Sequence, residues 1–117
     1  MRVLVVDDHP SFRASARMLL EADGFEVVGE AADAAKARRQ VAALRPDLVL
    51  LDVNLPDGDG RDVARELAAP GGAGPRVVLV SSREPADFAP LAPGDGAVAF
   101  IAKGELTGAA LAAAVRG

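Results

Sequence analysis

Residues 47–60 read DLVLLDVNLPDGDG, an aliphatic run that ends in an aspartate and passes into a loop rich in proline, glycine and acidic residues. The four apolar residues 48–51 are typical of a strand that is covered on both faces, as strands are in parallel sheets. Two other short aliphatic runs also end at polar side chains, residues 3–6 before Asp7-Asp8 and residues 97–102 before Lys103. This pattern predicts parallel strands with functional side chains at their carboxyl ends.

Predicted strands and helices alternate along the chain. The strands are predicted at residues 2–6, 25–30, 47–52, 76–81 and 97–102. Helices are predicted at 11–22, from an N-cap at Asp33 to about Leu44, at 60–69 and at 105–115,. Three prolines in the segment 83–96 allow only a short or irregular fourth helix, near residues 85–91,. Five strands and five helices predict an α/β domain, residues 1–117, with a doubly wound parallel sheet.

Composition excludes several classes of function. The 117 residues suit one domain, and the absence of cysteine excludes disulfides, thiolate metal sites and a thiol nucleophile,. A net charge of −4 argues against a nucleic-acid-binding surface on this domain, which would need a basic face,. No apolar stretch is long enough to span a membrane and no leader precedes the first strand, so we expect a cytoplasmic protein without a membrane partner.

The polar residues that follow the strands predict a metal site. The carboxyl ends of parallel strands lie at one edge of the sheet, so we expect Asp7, Asp8, Asp52 and Lys103 to come together there,. Three carboxylates in one pocket repel each other unless a cation lies among them. A hard divalent ion with oxygen ligands fulfils that condition, and Mg²⁺ is the expected ion. An acidic metal cluster beside a lysine suits the chemistry of a phosphoryl group.

Four segments, in this order and spacing, resemble the receiver domain of bacterial response regulators in two-component signalling. The segments are VVDDHP (5–10), DLVLLDVNLPDGDG (47–60), VLVSS (78–82) and FIAK (100–103). Asp52 follows Asp7 by 45 residues, Ser81 follows Asp52 by 29, and Lys103 follows Ser81 by 22. The resemblance covers the whole chain. It implies a flavodoxin-like three-layer sandwich with the strand order 2-1-3-4-5, in which the first and third strands are neighbours.

The resemblance implies a role for each residue at the carboxyl edge. Asp52 is expected to be the phosphoacceptor, since a carboxylate is ionised at neutral pH and needs no general base to attack phosphorus. Asp7 and Asp8 are expected to hold Mg²⁺ together with Asp52 and the backbone carbonyl of Asn54. Lys103 is expected to contact the Asp52 carboxylate at rest and a phosphoryl oxygen after transfer.

The resemblance also implies a conformational switch and several partners. Ser81 is expected to hydrogen-bond the phosphoryl group, and Phe100 to turn inward when Ser81 moves. The expected phosphodonor is a sensor histidine kinase. The face formed by the fourth strand, the fifth strand and the last helix is expected to bind a target or a second copy in a homodimer. The DDHP segment also favours a regulator with an appended DNA-binding output domain, which this chain does not contain.

Three other functions are weighed against this interpretation. A receiver-like binding module that works without phosphorylation would be indicated by the loss of an acid or of the lysine, and none is lost here. A flavodoxin-type electron carrier needs a loop rich in serine and threonine after the first strand, whereas this chain has Asp7-Asp8 there. A Walker-type nucleotide hydrolase needs a glycine-rich loop with lysine, which is missing.

Two other groups of residues have simpler interpretations. His9, the only histidine, has no cysteine or second histidine as a partner, so we interpret it as a surface residue,. Asp57 and Asp59 could be grouped with Asp52 as a calcium-binding loop. That loop would need a closing glutamate and would not accommodate Pro56, so we discount it,.

Overall fold

The computed structural model describes residues 1–68, 74–83 and 95–116, and it contains the predicted parallel sheet. The main sheet contains β1 (Arg2–Val6), β2 (Glu26–Ala31), β3 (Leu48–Asp52), β6 (Arg76–Ser81) and β7 (Ala97–Ala102). Two short strands, β4 (Asn54–Leu55) and β5 (Gly58–Asp59), form an antiparallel hairpin after β3. The order in the main sheet is β2-β1-β3-β6-β7, with all neighbours parallel. Because β4 and β5 lie outside this sheet, its order is the predicted 2-1-3-4-5, and that prediction is confirmed.

The helices of the described residues are α1 (Pro10–Ala22), α2 (Ala34–Leu44), α3 (Gly60–Leu67) and α4 (Gly108–Arg116). The predicted N-cap of α2 is confirmed, since the Asp33 side chain accepts a hydrogen bond of 2.7 Å from the backbone N–H of Lys36,. The predicted start of the last helix at residue 105 is wrong. Residues Lys103–Glu105 form a 3-10 turn, and the Thr107 hydroxyl caps α4 by accepting from the Ala110 N–H at 2.9 Å. The short helix predicted near residues 85–91 lies outside the described residues.

Helices cover both faces of the sheet. On one face, Leu4, Val6, Val49 and Leu51 pack against residues of α2 and α3. On the other face, side chains at the alternate strand positions pack against α1 and α4; they are Val3, Val5, Leu48 and Leu50,. All five residues of β3 are buried, as its unbroken apolar run predicts. The protein is therefore a three-layer flavodoxin-like sandwich built on valine, leucine and alanine.

The pairing of the strands brings their carboxyl ends to the same level. Val6 lies opposite Leu51, Asp52 lies opposite Val80, and Ser81 lies opposite Ala102. The residues that directly follow β1 and β7 are therefore close to the last residues of β3 and β6. This register explains why polar residues far apart in sequence meet at one edge of the sheet.

A network of two arginines and one glutamate ties α1 to β2 beside this edge. The Glu30 carboxylate accepts from the Arg17 Nε at 2.8 Å and from the Arg13 Nε at 3.1 Å. Arg13 also donates through Nη1 to the backbone carbonyl of Asp7 at 2.6 Å. The hydrogen bond from Arg17 lowers the pKa of Glu30 below its ordinary value. The charges of Arg17 and Arg13 lower it further, and partial burial opposes them. Ionised Glu30 therefore contributes to the stability of the fold.

We predict that Glu30→Gln lowers the free energy of unfolding at pH 7 by about 1 kcal/mol, the range of a partly exposed charge-assisted interaction. Because the folded state lowers the pKa of Glu30, its contribution is fully present above the ordinary value of 4.5 and is lost as the pH falls through the folded pKa,. Urea unfolding followed by circular dichroism from pH 7 to pH 3 measures this loss.

The matched control is Glu21→Gln, because Glu21 is half-exposed and pairs with the same Arg17 at 3.6 Å. It should change stability by less than about 0.5 kcal/mol. The difference in the free energy of unfolding between wild type and Glu30→Gln should shrink as the pH falls. A difference that stays constant down to pH 3 would contradict a stabilising role for ionised Glu30.

Candidate functional site

The acid pair that follows β1 is held by backbone hydrogen bonds on both sides. The Asp7 N–H donates to the Ala31 carbonyl at 3.0 Å, and the Asp7 carbonyl accepts from Arg13. The Asp7 side chain is completely buried, and its Oδ1 accepts from the His9 N–H at 2.8 Å. Asp8 is more exposed, with 37% of its side chain accessible. The first acid is thus fixed within the fold, while the second faces the solvent at the rim.

Asp52, the last residue of β3, is also buried, with 3% of its surface exposed. Its Oδ1 accepts from the Asn54 N–H at 3.2 Å. The turn that follows is tight: the Gly60 N–H donates to the Val53 carbonyl at 2.7 Å, and a side chain on Gly60 would overlap the Asp52 carbonyl and the Val53 Cα. The glycine at the start of α3 therefore sets the backbone position of Asp52.

Lys103 joins the two buried carboxylates. Its Nζ lies 3.4 Å from Asp52 Oδ2, as predicted, but it lies closer to Asp7 Oδ2, at 2.5 Å. The same ammonium lies 4.6 Å from the centre of the Phe12 ring, in a cation–π arrangement,. Among the described residues, Asp7 Oδ2 accepts no hydrogen bond of good geometry, so its contact with Lys103 is an ion pair. One positive charge thus forms ion pairs with two buried carboxylates.

The predicted convergence of acids is present. One carboxylate oxygen from each of Asp7, Asp8 and Asp52 and a ring nitrogen of His9 all lie within 4.8 Å of one another. Burial and the charge of Asp7 raise the pKa of Asp52, against the opposing effects of the Asn54 N–H and Lys103. Three carboxylates around one point, incompletely neutralised by one lysine, are a donor set that fits a hard divalent cation such as Mg²⁺.

Of the predicted switch residues, Ser81 lies at the same edge, whereas Phe100 lies inside β7, opposite Leu79. Ser81 is fully buried at the end of β6, and its hydroxyl accepts from the Arg83 N–H at 3.0 Å. Phe100 of β7 is half-buried and packs against the core on the α2 and α3 side of the sheet. The phosphoryl contact of Ser81, the movement of Phe100 and the ligand role of the Asn54 carbonyl stay predictions.

Sequence reasoning missed three residues that support the site. Arg13 holds the Asp7 carbonyl, and Phe12 lies against the Lys103 ammonium. Asp57, discounted as a calcium ligand, accepts from the Ala34 N–H at 2.7 Å and the Ala35 N–H at 3.0 Å. These two bonds cap α2 from the loop after β3 and lower the pKa of Asp57. The only sequence signal for this cap is an acidic residue in a loop rich in turn residues. No sequence feature shows that its partners are the first N–H groups of α2.

We predict that Gly60→Ala lowers the free energy of unfolding by about 1–3 kcal/mol, because the new methyl group would overlap backbone atoms that cannot move without displacing Asp52,. Gly58→Ala is the matched control, since a side chain at Gly58 would meet nothing within 4 Å. Chemical unfolding of both variants makes the comparison. Equal stability of the two variants would show that the close approach at Gly60 is unimportant.

We predict that Asp52→Asn stabilises the metal-free protein, because burial, and after it the charge of Asp7, raise the pKa of Asp52 and so disfavour its ionised form,. The melting temperature should rise by several degrees, as a gain of about 1 kcal/mol produces in a domain of this size. Asp8→Asn should give a smaller gain, because Asp8 is better solvated. Calorimetry without divalent ions tests this, and a lower melting temperature for Asp52→Asn would refute it.

Comparison with known proteins gives consistent results. A profile of the response regulator receiver domain family matches residues 3–116. The transcriptional regulatory protein PdtaR of Mycobacterium tuberculosis is 37% identical over 102 residues, which are 87% of this chain and 49% of that protein. The chain spans about half the length of the first curated relatives that it matches.

Solved structures show the same similarity. A two-component response regulator of the LuxR family from Aurantimonas sp. superposes with a TM-score of 0.82 at 34% identity, over 98% of this chain and 81% of that chain. The BeF3-activated receiver domain of Klebsiella pneumoniae RstA has a TM-score of 0.81 at 30% identity, over 99% of this chain and 96% of that chain. Within the described part of this chain, no helix has the length and apolar character needed to cross a membrane.

Proposed function

This chain belongs to the response regulator receiver domain family, a family of signalling domains, and from that premise we propose that it accepts a phosphoryl group on Asp52 from a partner histidine kinase. One observation carries the proposal. The buried Asp52 carboxylate lies 3.4 Å from the Lys103 ammonium and within 4.8 Å of ligand atoms of Asp7 and Asp8. A nucleophile, a cation and two metal-binding acids are therefore present in one place.

In the proposed reaction, an oxygen of Asp52 attacks the phosphorus of a phosphohistidine. The new P–O bond forms as the P–N bond breaks, and the electron pair of the broken bond stays on the leaving imidazole. Asp7 and Asp8, with Asp52 and the Asn54 carbonyl, would hold Mg²⁺. The ion, when bound, neutralises charge on the transferring oxygens. Lys103, 3.4 Å from the Asp52 carboxylate, would stabilise the same charge, and burial of Asp52 limits access of water,.

The acyl phosphate then shifts a conformational equilibrium. Ser81 is already at the edge of the pocket and would hydrogen-bond a phosphoryl oxygen, which draws the end of β6 inward. Phe100, on the neighbouring strand, would follow,. The face of β6, β7 and α4 carries the half-exposed Val98 and would bind a target or a second copy.

The proposal includes the setting of the domain. We place it in the cytoplasm, where a kinase has access to ATP, and we propose that it is the receiver part of a regulator with a DNA-binding output domain. The name of PdtaR, a transcriptional regulatory protein, and the similarity to a LuxR-family regulator support this assignment. The phosphorylation-independent alternative gains no support, since all the acids and the lysine are present and meet.

We predict that wild-type protein treated with acetyl phosphate and Mg²⁺ gains the mass of one phosphoryl group, and that Asp52→Asn gains none. Lys103→Ala should keep partial labelling, because its Asp52 nucleophile is intact, but it should not form the dimer that we expect of the wild type with beryllofluoride, a mimic of the phosphoryl group. Intact-mass spectrometry measures labelling, and light scattering measures the dimer.

Asp47→Asn is the matched control, because Asp47 precedes β3 at the opposite edge of the sheet and should not affect labelling. Labelling that persists in Asp52→Asn would place the acceptor elsewhere. Absence of labelling in wild type would favour the binding-module alternative.

A further inference from the structure

The single histidine lies where a metal ligand would lie. His9 is the residue before α1, and its ring turns back toward the acid pair. The ring Nδ1 lies 2.9 Å from Asp7 Oδ1 and 3.1 Å from Asp8 Oδ1. The interpretation of His9 as a surface residue agrees with its exposure, since 65% of its side chain is accessible. That interpretation did not include its contacts with Asp7 and Asp8.

These two distances match the geometry of a coordination shell. Ligands about 2.1 Å from an octahedral ion are separated by about 3.0 Å when they occupy adjacent positions. His9 Nδ1 is thus separated from Asp7 Oδ1 and from Asp8 Oδ1 by the distances expected between neighbouring ligands of one ion. Nδ1 contacts both carboxylates, so it lies beside the position that a cation between them would occupy.

A second observation concerns the compensation of charge at Asp7. Asp7 is fully buried, yet its other carboxylate oxygen, Oδ2, accepts no hydrogen bond of good geometry from the described residues. Burial of an incompletely satisfied carboxylate is costly unless a cation compensates for it. Lys103 supplies part of that compensation, but Lys103 is shared with Asp52.

The nitrogen ligand changes which ion the site prefers. Carboxylate, carbonyl and water oxygens suit Mg²⁺, whereas imidazole suits first-row transition metals, whose affinity rises from Mn²⁺ through Co²⁺ to Ni²⁺. We propose that the acid site of this chain binds a first-row transition-metal ion through His9 Nδ1, in addition to Asp7, Asp8 and Asp52, and binds it more tightly than Mg²⁺ because of that ligand. This inference rests on the proposed function for the site, and it adds His9 as a ligand and a class of ion.

Calorimetric titration of the whole chain with Co²⁺ and with Mg²⁺, at one fixed pH, tests the ligand role. His9→Ala should weaken Co²⁺ binding by about tenfold or more and leave Mg²⁺ binding within about twofold, because only the transition ion gains from the nitrogen ligand. Equal loss of affinity for both ions would mean that His9 only orients the acids. No loss for either would remove His9 from the site. Both results overturn the inference.

Pulsed electron paramagnetic resonance of the Mn²⁺-loaded protein gives a readout that does not depend on affinity. Wild type should show coupling to an imidazole nitrogen, and His9→Ala should lack it; absence of the coupling in wild type refutes the inference. Acetyl phosphate labelling of His9→Ala with Mg²⁺ is measured in parallel. Normal labelling together with an unchanged Co²⁺ affinity would refute the role of His9 and leave the proposed function of Asp52 intact.

Discussion

The structure depends on the compensation of like charges at the carboxyl edge of its sheet. Asp7 and Asp52 are both buried, and one ammonium, that of Lys103, lies within 3.4 Å of each. Burial, and after it the charge of Asp7, raise the pKa of Asp52, because one ammonium cannot fully compensate two buried carboxylates,. A fold selected only for stability would replace such a pair with apolar residues. The acids are therefore best explained by the cation and the phosphoryl group that we propose they bind.

The rest of the fold holds these charges in place. Pairing of β1, β3 and β6 sets the level of the acids, and the tight turn at Gly60 sets the backbone of Asp52. Arg13, held by Glu30, fixes the peptide of Asp7 from the α1 side. Each support is itself buried or hydrogen-bonded, so the acid site is preorganised before any ion or phosphodonor arrives.

Much of this architecture could be predicted from the sequence because strong local patterns encode it. The strand ends were predicted from aliphatic runs followed by Asp7, Asp52 and Lys103, and the α2 cap from Asp33. The predicted start of α4 is three residues too early, because the apolar pattern was followed back past Thr107, although a threonine before an apolar run is itself an N-cap signal,. Contacts that join distant residues, such as Asp57 with the N-terminus of α2, depend on tertiary packing and have no local pattern.

The position of Lys103 bears on how a phosphoryl group would change the domain. The ammonium lies closer to Asp7 than to Asp52, so it is held mainly by the acid that is not the proposed phosphoacceptor. A phosphoryl group on Asp52 would add negative charge beyond the carboxylate and would compete with Asp7 for this cation. Lys103 also begins the 3-10 turn that leads from β7 to α4. If the ammonium moved from Asp7 toward the phosphoryl group, the backbone of this turn would move with it. The turn joins the site to the proposed interaction face, so the change would need no contact from outside the domain.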